Sequence, residues 1–68
     1  MVVVTNIEYL VGDFARFEFE GLKADKKPVG KYIEKQIATG SKFVEWDSGK
    51  LYRYEQSSKT WTQFGGGV

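Results

Sequence analysis

The sequence predicts a mainly β protein: a small antiparallel sheet, or an open barrel or sandwich, of about five strands with at most one short helix. Two observations support this prediction. Aromatic residues make up 16% of the 68 residues, and together with Val, Ile and Thr they fall in short runs that are typical of strands. Turn residues, such as Gly12-Asp13 and Asp47-Ser48-Gly49, separate these runs.

The length predicts one domain with a thin core, because a chain of this size buries only about 60% of its extended surface. The sequence contains no cysteine and no histidine. Disulfides are therefore excluded, the usual zinc and iron ligands are missing, and we expect no cofactor and no metal. Packing or oligomerisation must then provide the stability. We expect residues 1–64 to form the domain and residues 65–68 to be a glycine-rich tail.

The first strand is predicted between Met1 and Val11. Its first residues are apolar on both faces, which predicts that Val2 to Val4 are covered on both sides or act as an arm against a neighbour. The clearest strand is Phe14 to Glu20, where Phe17 and Phe19 alternate with charged residues. The two phenylalanines are predicted to lie in the core.

A connection follows, containing the only proline, Pro28. Six lysines and two acidic residues lie between Leu22 and Lys42, and we interpret them as a solvated connection, with a docking patch for an acidic partner as the alternative. Residues Tyr32 to Ala38 have helical spacing, since Ile33 and Ile37 are four apart. One or two helical turns are predicted there, with an extended loop as the alternative.

The next feature is a hairpin with a turn at Asp47, Ser48 and Gly49. Gly49 is expected in the left-handed region, which only glycine adopts without steric cost. This turn predicts that Trp46 pairs with Lys50 and Val44 with Tyr52. Glu45 and Arg53 then form an exposed cross-strand pair.

A third strand from Thr60 to Phe64 completes a C-terminal three-stranded meander. The predicted core comprises Phe17, Phe19, Val44, Trp46, Tyr52, Tyr54 and Trp61.

Charge and composition exclude several function classes. The net charge of +1 argues against a nucleic-acid binder driven by bulk charge. No apolar run approaches the roughly 20 residues of a membrane span, and the start lacks a basic region with a cleavage site. An enzyme is not expected, because Glu18 and Glu20 lie on the polar face of a strand with no nucleophile suggested beside them.

Two stretches carry a family resemblance. The first, Phe17 to Pro28, is similar to a strand followed by an Asp-x-Lys-Pro connection. The second, Ile37 to Tyr54, is similar to the pattern Ala-Thr-Gly-Ser-x-Phe-x-Glu-x-Asp-x-Gly-Lys-aromatic-Tyr, and Trp61 closes the next strand. Together they resemble a small domain that recurs in structural proteins of tailed bacteriophages of Firmicutes and other gut bacteria. Residues 31–36 look like an insertion relative to that domain.

The resemblance implies a virion component, such as a head decoration or fibre protein or a tail accessory, located in the virion and in the host cytoplasm during assembly. It carries over no catalytic residue. We expect the partners to be further copies of the chain and other virion proteins of the capsid or tail. The hypothesised interface comprises Val2, Val3, Val4, Tyr9, Tyr32 and Phe64.

The alternative function is a small open barrel that binds single-stranded nucleic acid. In that interpretation Trp46, Tyr52 and Tyr54 stack on bases, while lysine and arginine side chains hold phosphates. Those cations are Lys42, Lys50 and Arg53. This alternative ranks second because the same aromatic residues are needed for the core.

Overall fold

The structure, a computed structural model, describes residues 2–66, which form strands and turns and contain no helix. The seven strands are β1 (Val3–Tyr9), β2 (Phe14–Gly21), β3 (Lys31–Tyr32), β4 (Lys35–Ile37), β5 (Lys42–Glu45), β6 (Lys50–Glu55) and β7 (Thr60–Gly66). They belong to one open sheet. The prediction of a mainly β fold is confirmed, although the structure has more strands than the five expected.

Strand β2 lies in the middle of the sheet and pairs with three other strands. On one edge it pairs antiparallel with β1. On the other edge it pairs in parallel with β4 at Phe14 and Ala15, and in parallel with β5 from Glu18 to Gly21. The sheet is therefore mixed, and the prediction of an antiparallel sheet is wrong on this point. The reason is that the chain crosses over after β2 and returns in the same direction.

Strands β5, β6 and β7 form the C-terminal antiparallel meander, which was predicted. We call the side of the sheet that carries Phe17 the core face and the side that carries Arg16 the outer face. On the core face, Phe17 and Phe19 stack with their ring centroids 5.2 Å apart. The buried core consists of Ala15, Phe17, Phe19, Ile37, Phe43 and Tyr54.

The connection from residue 22 to residue 30, which we call the crossover, covers the core face together with β3. The indole Nε1 of Trp61 donates a hydrogen bond to the carbonyl of Pro28 at 2.8 Å, and the backbone N–H of Gly30 donates to the hydroxyl of Tyr54 at 2.8 Å. The ring of Tyr32 packs edge-on against Phe19, with centroids 5.1 Å apart. The lysine-rich segment is therefore a structural cover and not only a solvated connection.

The predicted helical turns between Tyr32 and Ala38 are wrong. Strands β3 and β4 form a tight hairpin, and Ile33 and Glu34 make its turn with positive φ angles of 49° and 62°. A helix of under about ten residues is marginal in isolation. Pairing with β2 competes with it, since β4 then places Ile37 beside Ala15 in the core.

The β5–β6 hairpin differs from the predicted register by one residue. Glu45 pairs with Lys50 and Phe43 with Tyr52, so four residues from Trp46 to Gly49 make the turn. A shift of one residue turns each side chain of β5 to the other face. Phe43 and Glu45 therefore lie on the core face.

Two members of the predicted core are corrected by this register. Trp46 is 65% exposed, and Val44 lies on the outer face, where it is half-buried. The physical reason is the parallel pairing with β2, which places Phe43 beside Phe19 and is not visible in the hairpin alone. Gly49 has φ 77°, the left-handed conformation expected of it. Glu45 and Arg53 lie on opposite faces and do not form the predicted surface pair.

The glycine-rich end also differs from the prediction. Gly65 and Gly66 continue β7, where they pair with Leu51 and Lys50. The predicted tail at residues 65–68 therefore begins no earlier than residue 67, because backbone pairing with β6 orders the first two glycines. Residues 67 and 68 lie outside the described residues.

Candidate functional site

The most prominent candidate site consists of the two long edge strands of the sheet, β1 and β7. Within residues 2–66, β1 pairs only with β2, and β7 pairs only with β6. Each of these edge strands is seven residues long. An open edge presents unpaired backbone N–H and C=O groups to which another strand can bind.

The hydrogen bonds of Tyr54 show which backbone groups of β7 face outward. Tyr54 donates its N–H to the carbonyl of Ser41 at 2.8 Å and accepts from the N–H of Gly40 at 3.1 Å, so its backbone groups point away from β7. Pairs alternate between bonded and non-bonded along an antiparallel ladder. Trp61, opposite Tyr54, and Gln63, opposite Tyr52, therefore direct their backbone groups away from β6.

Strand β7 carries only one of the usual protections of an edge. Its sequence, Thr-Trp-Thr-Gln-Phe-Gly-Gly, has no charged residue and no proline. Natural sheets commonly blunt their edges with lysine or proline, which discourage the pairing of another chain. A register irregularity opposite Leu51 and Tyr52 is the one such device in β7. Most of the β7 edge is therefore open to strand addition.

A groove of about 240 Å³ lies beside β7. Its walls are formed by Arg53, Tyr54, Glu55, Thr62 and Phe64. The ring of Phe64 is 52% exposed. The groove thus combines a cation, a carboxylate and an apolar ring at the open edge.

Two cations face each other next to this groove. Lys42 and Arg53 are directly opposite in the β5–β6 ladder and lie on the same face. The salt bridges among residues 2–66 join Glu8 to Arg16 and Lys27 to Glu45, and involve neither of them. Glu18 is in register with Lys42 in the β2–β5 ladder, so Lys42 already has a carboxylate beside it. Arg53 is therefore the cation of this pair that lies nearer the open edge.

Strand β1 forms the second open edge. Phe17 donates its N–H to the hydroxyl of Ser41 at 3.0 Å, so its backbone groups point away from β1. Ile7 lies opposite Phe17 and therefore directs its own backbone groups outward. The only charged side chain of β1, Glu8, is 2.6 Å from Arg16.

The residues of the hypothesised interface fall into two groups. Val3, Tyr9 and Phe64 are exposed at the two open edges. Val2, Val4 and Tyr32 are partly buried against the core of their own chain. The structure therefore brings only the first group to the surface, at β1 and β7.

A buried ion pair between Lys27 and Glu45 is the feature that the sequence did not reveal. Lys27 Nζ lies 2.5 Å from Glu45 Oε2, and the side chains are 18% and 3% exposed. Nζ also lies over two aromatic rings, 4.9 Å from the centroid of Phe43 and 4.3 Å from that of Tyr52. The hydrogen bond from Lys27 lowers the pKa of the Glu45 carboxyl, and burial opposes this shift.

The predicted turn residues support this ion pair and the crossover. Ser48 donates its hydroxyl to Glu45 Oε1 at 2.8 Å, and Asp47 accepts the backbone N–H of Lys23 at 2.9 Å. The lysine and the glutamate neutralise each other, so neither charge is left for a ligand. We interpret the cluster as a structural clasp between the crossover and the sheet.

The residues named for nucleic-acid binding do not form one surface. Tyr54 is buried, and Lys27 lies over the ring of Tyr52 on the core face. Lys42 and Arg53 lie on the outer face. Base-stacking rings and phosphate-binding cations would need to share a face.

Across residues 2–66, no three Asp or Glu side chains come together as a metal site would require. No helix in that range could cross a membrane. No family model, curated protein or solved structure matches the chain.

Proposed function

We propose that the chain is a non-enzymatic structural protein of a bacteriophage virion, a head decoration or fibre protein or a tail accessory component. It acts by self-association and by binding to a capsid or tail lattice. The observation that supports this proposal best is the pair of open edge strands, β1 and β7, on one small sheet. The virion is proposed as the location because residues 17–28 and 37–54 resemble a domain of bacteriophage structural proteins.

The architecture suits repeated assembly. Two different edges on one domain allow two contacts at once, one with a second copy of the chain and one with another protein. Many weak contacts to a repeated lattice also add up, because multivalent binding raises the overall affinity without new contacts. A domain of this size gains stability in the same step, since the thin core is extended across the interface.

Strand β1 is the edge that we assign to self-association. Val3 is half-exposed, and the exposed ring of Tyr9 lies at the other end of the strand. Glu8 is neutralised by Arg16, so two copies of β1 can approach without like-charge repulsion. Main-chain hydrogen bonds would provide affinity, and the valine and tyrosine side chains would provide apolar contact.

Light scattering after gel filtration, across a range of protein concentrations, tests this proposal. The wild-type chain should form a dimer, because a contact between β1 and β1 of a second copy closes at two copies. Val3→Asp should shift the mass towards the monomer while the circular dichroism spectrum stays unchanged. Val11→Asp is the matched control, because Val11 is 95% exposed and lies outside β1, so its assembly should equal that of the wild type.

Two results of these measurements would contradict the proposal. A wild-type chain that is monomeric at every concentration, and that does not bind phage capsids or tails in a sedimentation assay, would refute it. Equal assembly of Val3→Asp and the wild type would remove β1 from the interface.

A further inference from the structure

We propose that β7 binds an extended segment of another protein as an antiparallel strand, and that this segment carries the order apolar-x-acidic-x-basic. The inference rests on the proposed function, since it names the partner of one of the two open edges. It follows from the backbone of β7 and from three rows of side chains on the outer face. A row here is the set of residues that are in register on neighbouring strands.

The backbone of β7 provides the hydrogen-bonding groups for an added strand. Trp61 and Gln63 direct their N–H and C=O groups away from β6, two residues apart. This is the spacing at which an antiparallel neighbour exchanges pairs of hydrogen bonds. A strand added here meets no charged side chain and no proline in β7.

The middle row selects an acidic side chain. Across the outer face, the residues in register on neighbouring strands are Glu18, Lys42, Arg53 and Thr62. Threonine is short, so the guanidinium of Arg53 can reach over Thr62 to a residue on the added strand. A carboxylate there would accept hydrogen bonds from the guanidinium of Arg53.

The two flanking rows select the other positions. Towards the end of β7 the groove wall is the exposed ring of Phe64, which favours an apolar residue. At the start of β7, Thr60 lies opposite Glu55, and that carboxylate favours a basic residue. The antiparallel segment passes Phe64 first, then Arg53, then Glu55, which fixes the order apolar, acidic, basic.

The occupant is another protein and not a second copy of this chain. No acidic residue of the sequence has an apolar residue two positions before it and a basic residue two positions after it. A second copy would therefore place a mismatched residue in at least one row.

Two fluorescently labelled synthetic peptides test the proposal by anisotropy titration on the intact chain. The matching probe is Thr-Val-Thr-Glu-Thr-Lys-Thr, and its matched control, Thr-Val-Thr-Lys-Thr-Glu-Thr, exchanges the two charges. We expect the first peptide to bind at least about tenfold more tightly. Arg53→Gln should reduce this preference to below about threefold.

A pair of variants at Gln63 tests the strand geometry. Gln63→Pro removes an N–H that points to the open edge and should abolish binding, while the β6–β7 ladder remains intact. Gln63→Val keeps that N–H and should bind like the wild type. Equal affinity for the two peptides, no binding of either peptide, or binding that survives Gln63→Pro would overturn the inference.

Failure here is distinguishable from failure of the proposed function. The same samples are examined by light scattering, which reports on β1. Assembly that persists without peptide discrimination would overturn only the partner assigned to β7. Loss of assembly with peptide discrimination intact would overturn the self-association and leave the β7 site.

Discussion

Lys27 Nζ lies 2.5 Å from Glu45 Oε2, and this contact joins the crossover to the sheet beneath it. The two residues are eighteen positions apart in the sequence. The ammonium also lies above the rings of Phe43 and Tyr52, and this arrangement adds cation–π attraction. The clasp thus holds the cover of the core in place by charge as well as by apolar contact.

Removing the lysine should destabilise the protein strongly. Lys27→Met leaves the carboxylate of Glu45 buried without its cation, and we expect the free energy of unfolding to fall by about 3–5 kcal/mol. Chemical denaturation in urea measures this change. Lys26→Met is the matched control, because Lys26 is exposed and should change stability by less than about 0.5 kcal/mol.

A double variant separates charge burial from packing. Lys27→Met combined with Glu45→Leu removes both charges, and we expect it to recover most of the lost stability. A double variant as unstable as Lys27→Met alone would show that the clasp acts through packing and not through charge.

The clasp also predicts a dependence of stability on pH. The pKa of Glu45 in the folded protein is below its ordinary value of 4.5. Glu45 therefore contributes its full stabilisation above pH 4.5, and this stabilisation is lost as the pH falls through the lower, folded pKa. Urea titrations at neutral and acid pH should show a smaller acid-induced loss in Glu45→Gln than in the wild type. Equal losses would contradict this prediction.

Gly21 is expected to tolerate no side chain. A Cβ atom at this position would lie 2.8 Å from Cζ of Phe43, whose ring is fully buried. Gly21→Ala should therefore cost about 1–3 kcal/mol through overpacking, measured by thermal or urea denaturation. Gly65→Ala is the control, since its nearest contact would be Leu51 at 3.9 Å, an ordinary distance. Stability close to the wild type for Gly21→Ala would show that the ring of Phe43 can move.

The two tryptophans should respond differently to substitution, which tests the hairpin register. Trp46 is exposed, so Trp46→Phe should change stability by less than about 0.5 kcal/mol. Trp61 donates to the Pro28 carbonyl, and Trp61→Phe should cost about 1–3 kcal/mol because that hydrogen bond is lost.

Acrylamide quenching gives an independent reading of the same pair. The fluorescence that remains in Trp46→Phe should be shielded, and that in Trp61→Phe should be readily quenched. The reverse order would restore the register in which Trp46 faces the core.

The amino-acid pattern is sufficient to predict the parts of the fold that depend on local alternation. Phe17 and Phe19 alternate with charged residues, and both lie in the core. The register of β5 could not be predicted in the same way, because it depends on parallel pairing of Phe43 with Phe19 across the crossover. Hairpin geometry alone allows either a three-residue or a four-residue turn.

The candidate site was predictable only in part. Exposed apolar residues such as Val3 and Phe64 stood out in the sequence, but their position on open edges depends on strand order. The clasp was not predictable, because Lys27 and Glu45 are distant in sequence and charged residues are normally expected at the surface.

The central position of β2 has a consequence for synthesis on the ribosome. Residues 14–21 emerge early, but the strands that cover their second edge, β4 and β5, begin at residues 35 and 42. During that interval the β1–β2 hairpin exposes Phe17 and Phe19 to the crowded surroundings of the nascent chain. Pairing between residues far apart in the sequence is slow and increases exposure to aggregation. The lysines of the crossover emerge next, and we expect their charge to oppose aggregation until β4 and β5 are in place.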